Sequence, residues 1–340
     1  MYQTNLPFCS IIVLNYFGEK VIGETLSSLL ELDYPQDKYE IIVVDNNSKD
    51  RSRRIVKDFR KKNRIIKYFF MDKNLGFSRG NNVGIKHARG QYVVLLNNDC
   101  IVDRHWLLEL VKTALKDDKI FAVNSKIYLR SSKKIQNAGI MVFQDGYGRD
   151  IGAKVKYQSQ DYENDYGQYD KEQEIYAACG AASLFKKKVF EKLGYFDQDF
   201  FMYYEDVEIS ERARFHGYKI LYCPRAITYH YHAFSSIEWS AKFIYNTEKG
   251  RLLHVFFNFP FVIFFKEYWK FFFLSILRLI KEAYIFKKFK INIQYVFISV
   301  YFLVNFLRLI VKRIHKHHDT LKNAIQDNYQ KILTGYWYFH

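Results

Sequence analysis

Short apolar segments that alternate with helix-like segments constrain the fold of this chain more than any other feature. Residues 10–14, 40–44, 65–70 and 91–96 read as strands, and most of them are continuously apolar, as buried parallel strands are. The segments between them repeat apolar residues at helical spacing. This alternation predicts right-handed crossovers and one mainly parallel sheet, so the fold class is α/β.

Polar clusters directly follow three of these strands. Asn15 and Tyr16 follow the first strand, Asp45 begins a polar turn after the second, and Asn97 to Asp99 follow the fourth. Ligands of an open parallel sheet bind beyond the carboxyl ends of its strands. An aromatic ring can stack on a base, one carboxylate can accept from a base or ribose, and another can hold a divalent ion on a diphosphate. The three clusters together predict a nucleotide site.

A further group of titratable residues lies after residue 200. Glu205, Asp206 and Glu208 place three carboxylates behind an aromatic run. Like charges at this spacing repel each other, which raises pKa values and can make one carboxylate a base. His230 and His232 alternate at the end of a later apolar run, and this pattern favours a ligand role for one of them.

Several acidic residues in these segments also have a purely structural interpretation. Asp45 is typical of a turn, and Asp50 is typical of the cap of a following helix. Glu208 suits the first turn of a helix, where an acidic side chain complements the dipole. These alternatives stay open for single residues, and only the convergence of several clusters favours a ligand site.

A series of short segments recurs in one order: SIIVLNY at 10–16, VVDNNSKD at 43–50, NLGFSRGNNVG at 74–84, LLNND at 95–99, GAASLF at 180–185, GYFD at 194–197, FMYYED at 201–206, and His230 with Ser235. In this order they resemble the inverting family 2 glycosyltransferases of GT-A (Rossmann-like) fold, most closely the bacterial rhamnosyltransferase-like group. The resemblance implies that Asn15, Tyr16 and Asp45 hold the nucleoside. It also implies that Arg79 and Asn82 lie near a nucleotide-sugar donor.

The same resemblance implies roles at the reaction centre. Asp99 would be the metal-binding end of the family's Asp-x-Asp motif, although Asn97, a weaker neutral ligand, takes the motif's first position. His230 would approach the metal, Mg²⁺ or Mn²⁺, or the diphosphate. Asp206 would be the general base, beside Glu205 as a second catalytic candidate. A single displacement would then invert the anomeric centre, while the metal neutralises the leaving diphosphate.

The composition changes after about residue 235. This change predicts a catalytic domain over residues 1–235 and a basic, aromatic, helical region over residues 236–340. Between Lys242 and Lys316 there are 14 Lys and Arg against three Glu, a net of +11 of the chain's +16. So large a basic excess predicts an acidic partner such as an anionic membrane surface.

Long aromatic runs at 256–265 and 268–274 are interrupted by cations about one helical turn apart. A helix that is apolar on one face and basic on the other lies in the plane of a membrane interface. We therefore expect a membrane-associating α-helical segment. A transmembrane span through 291–307, which is short for that purpose, and a helical core or oligomer interface stay as alternatives.

Composition also bears on partners and location. The four cysteines are widely separated, which favours free thiols in a reducing compartment. The first residues lack the pattern of a signal peptide, so we expect a cytoplasmic protein that is peripheral on the inner face of the cell membrane. We expect no nucleic-acid partner, because the cations alternate with large apolar faces, which disfavours that use of the charge, and no nucleic-acid motif is present.

Three functions fit these observations to different degrees. The first is transfer of a sugar from a donor such as dTDP-rhamnose or a UDP-sugar to a hydroxyl of a glycan or lipid-linked acceptor, in cell-surface polysaccharide synthesis. The second is a non-catalytic nucleotide-sugar-binding or membrane scaffold protein, which the presence of Asp99 and Asp206 disfavours. A nucleotidyltransferase would need a Gly-rich basic loop directly after the first strand, and residues 15–19 do not form one.

Overall fold

A computed structural model describes residues 6–156, 159–231, 240–285, 289–316 and 322–333. The strands are β1 (Cys9–Asn15), β2 (Tyr39–Asp45), β3 (Ile66–Phe70), β4 (Tyr92–Asn97), β5 (Cys100–Val102), β6 (Ile120–Leu129), β7 (Lys134–Asn137), β8 (Ile140–Val142), β9 (Gly148–Asp150), β10 (Ala153–Lys156), β11 (Ser159–Asn164), β12 (Gln173–Glu174), β13 (Ala182–Lys186) and β14 (Lys219–His230). The helices are α1 (Ile22–Leu30), α2 (Ser52–Lys62), α3 (Gly76–His87), α4 (Trp106–Ala114), α5 (Lys187–Leu193), α6 (Glu205–Phe215), α7 (Ala241–Asn258), α8 (Phe261–Ile285), α9 (Phe289–Lys316) and α10 (Lys322–Leu333).

The predicted parallel strands form one end of a mixed sheet of 12 strands, in the order β4-β1-β2-β3. The register places Asn15 beside Asp45 and Leu14 beside Asn97, so the polar clusters meet at one edge. The sheet is not purely parallel, because β13 inserts antiparallel between β4 and β6. The long strand β14 runs parallel to β6 and antiparallel to β5, which brings His230 beside Cys100.

Helices cover both faces of the sheet. Ile11 and Val13 pack with α1, α2 and α4, whereas Ile12 packs with α3, α5 and α6 on the other face. Burial on both faces explains why the strands are continuously apolar rather than alternating. Each such buried side chain contributes roughly 1.5–3 kcal/mol.

The C-terminal helices share a third core with the sheet domain. Phe256, Phe257 and Phe264 are buried there with Phe200 and Val207. The aromatic runs are therefore divided between a protein core and an exposed face, because each long helix has one side against the domain. The predicted boundary at 235/236 lies outside the described residues and stays a prediction.

The outer side of α8 and α9 is an exposed apolar face, which we call the outer stripe. It is formed by Val262, Phe265, Trp269, Phe273, Leu277 and Ile280 of α8 and by Phe297, Val300, Val304, Leu307, Val311 and Ile314 of α9. The helix at Lys290–Lys316 has a mean hydropathy of 1.7 over its most apolar part and is long enough to cross a membrane. This C-terminal helix is therefore apolar enough to associate with a membrane.

Candidate active site

Asn15 joins the ends of three strands. Its side-chain amide donates to Asp45 Oδ2 at 2.7 Å and to Ser52 Oγ at 2.9 Å, and its Oδ1 accepts from Asn98 Nδ2 at 2.8 Å. Gly18 packs so closely here that a Cβ on it would lie 2.2 Å from Asn15 Oδ1. The side-chain nitrogen and oxygen of Asn15 are both hydrogen-bonded to other protein groups. The structure therefore gives Asn15 a positioning role. Asn98 lies within the predicted cluster from Asn97 to Asp99, whereas Gly18 lies outside the motif segments and was not predicted.

Asp45 and Tyr16, the predicted nucleoside residues, lie next to this junction. Asp45 is fully buried and accepts from Arg53 Nε at 2.6 Å and from the backbone N–H of Ser48 at 3.0 Å. Tyr16 is half-buried, and the next residue, Phe17, has a left-handed φ of 52°. The ring of Tyr16 is thus accessible to a ligand, while Asp45 is enclosed and neutralised by Arg53, a partly exposed arginine that was not predicted.

Asp50 does what a helix-capping residue does. Its Oδ1 accepts from the backbone N–H of Ser52, the first residue of α2, at 3.1 Å. Its other oxygen accepts from the backbone N–H of Glu19 at 2.9 Å. The capping interpretation of Asp50 is therefore the one that the structure favours.

Arg79 and Asn82 lie on α3, whose N-terminus contacts the loop before α6. Arg79 is exposed and forms no ion pair within the part of the chain that the structure describes. Asn82 is buried, and its amide donates to Phe196 O at 2.8 Å and accepts from Phe196 N at 3.1 Å. Arg79 is therefore open to a ligand, whereas the side chain of Asn82 is used to hold Phe196.

Asp99 and His230 meet at the end of β4 and β14. Asp99 Oδ1 lies 3.0 Å from His230 Nε2, and His230 Nδ1 lies 2.7 Å from Gln136 Oε1. All three side chains are buried. Gln136 fixes the orientation of the ring, as outer partners of metal-binding histidines commonly do. His232 and Ser235, the other residues of this predicted segment, lie outside the described residues.

These groups fit a divalent cation. The potential ligand atoms of Asp99, Cys100 and His230 lie within 4.8 Å of one another. Burial raises the pKa of the Cys100 thiol well above its usual range, so this sulfur stays protonated and is a weak ligand. Asn97 is half-buried, and its amide forms no hydrogen bond with the described residues. The candidate metal ligands are therefore the carboxylate of Asp99 and the imidazole of His230. The amide oxygen of Asn97 lies two residues before Asp99 in the chain.

Asp206 is the second residue of α6, and two backbone groups hold its side chain. Its Oδ2 accepts from Gly180 N at 2.9 Å, and its Oδ1 accepts from Val207 N at 2.9 Å. Burial raises the pKa of Asp206, and the two N–H donors only partly offset this effect. A partly desolvated carboxylate in a fixed orientation is suited to accept a proton.

Glu205, the second catalytic candidate, points into the protein. It is 4% exposed, and its Oε2 has no hydrogen-bond partner among the residues that the structure describes. Burial, and then the charge of Asp206, raise the pKa of Glu205 well above its usual range. Burial and this charge thus favour the protonated form of Glu205 more than that of an exposed glutamate, which favours Asp206 as the base.

The turn before α6 is strained. Tyr203 and Tyr204 have φ values of 72° and 70°, a region that non-glycine residues rarely adopt. Helix α7 contacts this turn at Gly250, where a Cβ would lie 2.9 Å from Tyr203 O. The C-terminal region thus supports the turn that positions Asp206.

Glu208 and Asp150 are two further acidic residues near the proposed base. Glu208 bonds Arg212 at 2.8 Å and Lys316 at 2.6 Å, so it has a structural role, as its alternative interpretation predicted. Asp150 on β9 was not predicted. Burial and the nearby charge of Asp206 raise its pKa to about 6. No periodic pattern or motif in its segment could have identified it.

Comparison with known sequences places these residues in a known family. Residues 10–194 match the family described as Glycosyl transferase family 2. Over 222 residues the chain is 30% identical to the poly-beta-1,6-N-acetyl-D-glucosamine synthase of Staphylococcus epidermidis, which covers 64% of this chain and 48% of that protein. The chain thus spans about half the length of the curated relatives that it matches.

Two solved structures show the same fold at low sequence identity. GalNAc-T7 with UDP, GalNAc and Mn²⁺ has a TM-score of 0.59 and 18% identity, covering 75% of this chain and 48% of that chain. The mannosyltransferase PcManGT from Pyrobaculum calidifontis, in complex with GDP-Man and Mn²⁺, has a TM-score of 0.52 and 17% identity, covering 97% of this chain and 88% of that chain. These likenesses confirm the predicted GT-A fold.

Proposed function

The chain belongs to glycosyl transferase family 2, and from this premise we propose that it transfers a sugar from a nucleotide-diphosphate donor to a hydroxyl of a glycan or lipid-linked acceptor. The proposal extends to cell-surface polysaccharide synthesis, because the Staphylococcus relative is named as a polysaccharide synthase. The similar solved structures contain UDP with GalNAc, or GDP-Man, each with Mn²⁺.

One observation carries the proposal: the backbone at Gly180 and Ala181 connects the end of β4, on the donor side of the site, to the proposed catalytic base, Asp206. Gly180 N donates to Asp206, and the next residue, Ala181, accepts from Asn97 N at 2.9 Å. Ala181 O also accepts from the thiol of Cys100 at 3.8 Å. The end of β4 and the start of α6 are therefore held together, as transfer between a bound donor and an acceptor requires.

The chemistry follows from the placement of Asp206. It accepts the proton that the acceptor hydroxyl loses as the oxygen attacks the anomeric carbon. Its raised pKa, caused by burial, makes it a stronger base than an exposed aspartate. The reaction is a single displacement that inverts the anomeric centre and needs no covalent enzyme intermediate.

Asp99 and His230 would hold a divalent cation, and Gln136 would orient the imidazole. When bound, such an ion neutralises the charge that develops on the leaving diphosphate. Mg²⁺ sites in proteins are built almost entirely from oxygen ligands. The imidazole in this donor set therefore favours Mn²⁺ over Mg²⁺.

The donor in this proposal is a hexosyl or deoxyhexosyl nucleotide, either dTDP-rhamnose or a UDP-sugar. Membership of the rhamnosyltransferase-like group stays a prediction. Tyr16 supplies the ring beside the nucleobase of the donor, and Arg79 supplies an exposed cation on α3 for the donor phosphates.

The proposed location is the inner face of the cell membrane, with α8 and α9 lying in its plane. The outer stripe offers the apolar contact, and the exposed cations Lys266, Lys270 and Lys281 lie along α8. Each cation near an anionic surface contributes roughly 1 kcal/mol. Arg308 and Lys312 of α9 pair with Asp199 of the catalytic part at 3.0 and 2.5 Å. These pairs favour a helix that lies along the domain over one that crosses the bilayer.

A donor screen tests the proposed function. Purified full-length protein is incubated with UDP-, dTDP- and GDP-sugars and either Mn²⁺ or Mg²⁺, and release of the nucleoside diphosphate is measured with and without glycoside acceptors. We expect one donor class to be turned over faster when an acceptor is present. Donor binding by calorimetry with no turnover of any donor would instead support the non-catalytic binding protein.

A further inference from the structure

Only one oxygen of the Asp150 carboxylate accepts a hydrogen bond from the residues that the structure describes. Its Oδ1 accepts from Asn137 Nδ2 at 2.8 Å. Its Oδ2 accepts no hydrogen bond from any residue in the described ranges, and the side chain is partly exposed. A carboxylate with one fixed and one open oxygen is a typical hydrogen-bond acceptor for a ligand.

A chain of buried amides fixes Asp150 relative to the base. Asn137 Oδ1 accepts from Asn124 Nδ2 at 3.0 Å, and Asn124 Oδ1 accepts from the backbone N–H of Cys179 at 2.7 Å. Cys179 is followed by Gly180, which holds Asp206. The two carboxylates therefore belong to one hydrogen-bond network rather than to independent loops.

A second contact fixes the strand that carries Asp150. The backbone N–H of Gly148 donates to the Tyr204 hydroxyl at 2.9 Å, which ties β9 to the strained turn before α6. Gln136, the neighbour of Asn137 on β7, orients His230. The end of β7 thus places Asp150 and His230 in the same part of the site. The influence of Asp206 and His230 on the pKa of Asp150 agrees with this placement.

Resting on the proposed glycosyl transfer, we propose that Asp150 selects the acceptor by accepting a hydrogen bond from a second hydroxyl, next to the one that attacks. The acceptor is then a neutral sugar with hydroxyls on neighbouring carbons, free or lipid-linked. An acceptor that attacks through a phosphate is disfavoured, because Asp150 and Asp206 present negative charge to it.

The bonds of this step balance without further reactants. The acceptor oxygen forms a bond to the anomeric carbon, and the bond from that carbon to the diphosphate oxygen breaks. The electron pair leaves with the nucleoside diphosphate, and the proton of the acceptor hydroxyl goes to Asp206. Asp150 changes no bond and acts only on orientation.

Asp150→Asn tests the assignment, because the amide oxygen still accepts from Asn137 while the negative charge is lost. Octyl glycosides serve as acceptor probes, together with deoxy analogues that lack the hydroxyl next to the attacking one. A hydrogen bond to a charged group is typically worth a factor of about 10–100, so we expect that loss in acceptor kcat/KM. Donor KM and donor hydrolysis should stay unchanged. Asp145→Asn, in the same hairpin, is the matched control and should transfer normally.

The deoxy analogues separate a hydroxyl contact from a merely structural effect. Loss of the neighbouring hydroxyl should slow the wild type about 10–100-fold and leave Asp150→Asn almost unaffected. An equal effect of deoxygenation on both proteins overturns the assignment, as does faster transfer to farnesyl phosphate than to any glycoside. Absence of all donor turnover in the wild type is a different result, which removes the proposed function itself.

Discussion

Lys316→Ala removes the cation that joins the C-terminal region to the helix of the base. Lys316 Nζ lies 2.6 Å from Asp197 Oδ2 and 2.6 Å from Glu208 Oε1. Its side chain is 10% exposed, and the two carboxylates are 2% and 0% exposed. Removing one partner of such a buried pair costs about 3–5 kcal/mol, because the remaining charge is left without compensation.

Because both carboxylates keep another cation after the substitution, the expected loss of stability lies at the lower end of this range. Lys312 still contacts Asp197, and Arg212 still bonds Glu208 at 2.8 Å. At about 2.1 cal/mol/K per residue, a chain of 340 residues has an unfolding entropy of about 0.7 kcal/mol/K. A loss of about 3 kcal/mol therefore lowers the Tm by about 4 °C.

The Tm difference between wild type and Lys316→Ala should change with pH in a definite direction. Burial raises the pKa of Asp197 and Glu208, but the neighbouring cations outweigh burial and hold both pKa values below their usual range. A carboxylate with a lowered pKa in the folded state stabilises the fold above its unfolded pKa, about 4, and loses this contribution as the pH falls. The Tm difference between wild type and Lys316→Ala should therefore be full at pH 7 and shrink below about pH 4.

Scanning calorimetry or fluorescence melting across that pH range is the assay. Lys270→Ala is the control, since Lys270 is exposed on α8 and forms no ion pair with the described residues. It should change the free energy of unfolding by less than about 0.5 kcal/mol. A Lys316→Ala shift as small as that of the control, or one that persists unchanged at acidic pH, refutes the reasoning.

Three further results are expected. Asp99→Ala should weaken nucleotide-sugar binding in the presence of Mn²⁺, and a donor affinity that a chelator leaves unchanged in the wild type would contradict the metal site. Gly18→Ala should push against Asn15 and cost about 1–3 kcal/mol of stability together with some UDP affinity; an unaltered Tm would show that the junction tolerates the added methyl group. Replacing Trp269 and Phe273 with Ser should reduce co-sedimentation with anionic vesicles and leave the Tm nearly unchanged, and wild-type binding should weaken with salt; equal sedimentation of both proteins argues against the membrane surface.

The meeting of three polar residues at one sheet edge could be predicted because each of them ends a continuous apolar strand. Asn15, Asp45 and Asn97 directly close β1, β2 and β4, and parallel pairing then brings them to one edge. The position of Asp99 follows from the same edge. The pairing of Asp99 with His230 was expected only from family resemblance, because β5 and β14 meet through a long-range antiparallel contact.

Asp150 could not be predicted from the sequence. Its segment has no periodicity, and its position depends on Asn137 and on the Tyr204 hydroxyl, contacts that no local pattern reveals. Lys312 and Lys316 have a similar explanation. In the sequence they extend a basic membrane-facing helix, but buried carboxylates such as Asp197 attract them to the inner side of α9.

The central claim is that Asp206 is the base of a glycosyl transfer, and Asp206→Asn tests it most directly. Turnover and donor affinity are measured on the same protein, with Glu205→Gln as the neighbouring control, because Glu205 is buried beside Asp206 and glutamine keeps its shape. We expect Asp206→Asn to lower transfer by about 10²–10⁴-fold, since a positioned base contributes that factor. Its donor affinity should remain close to that of the wild type. Near-normal transfer by Asp206→Asn would contradict the account and move the base to another group.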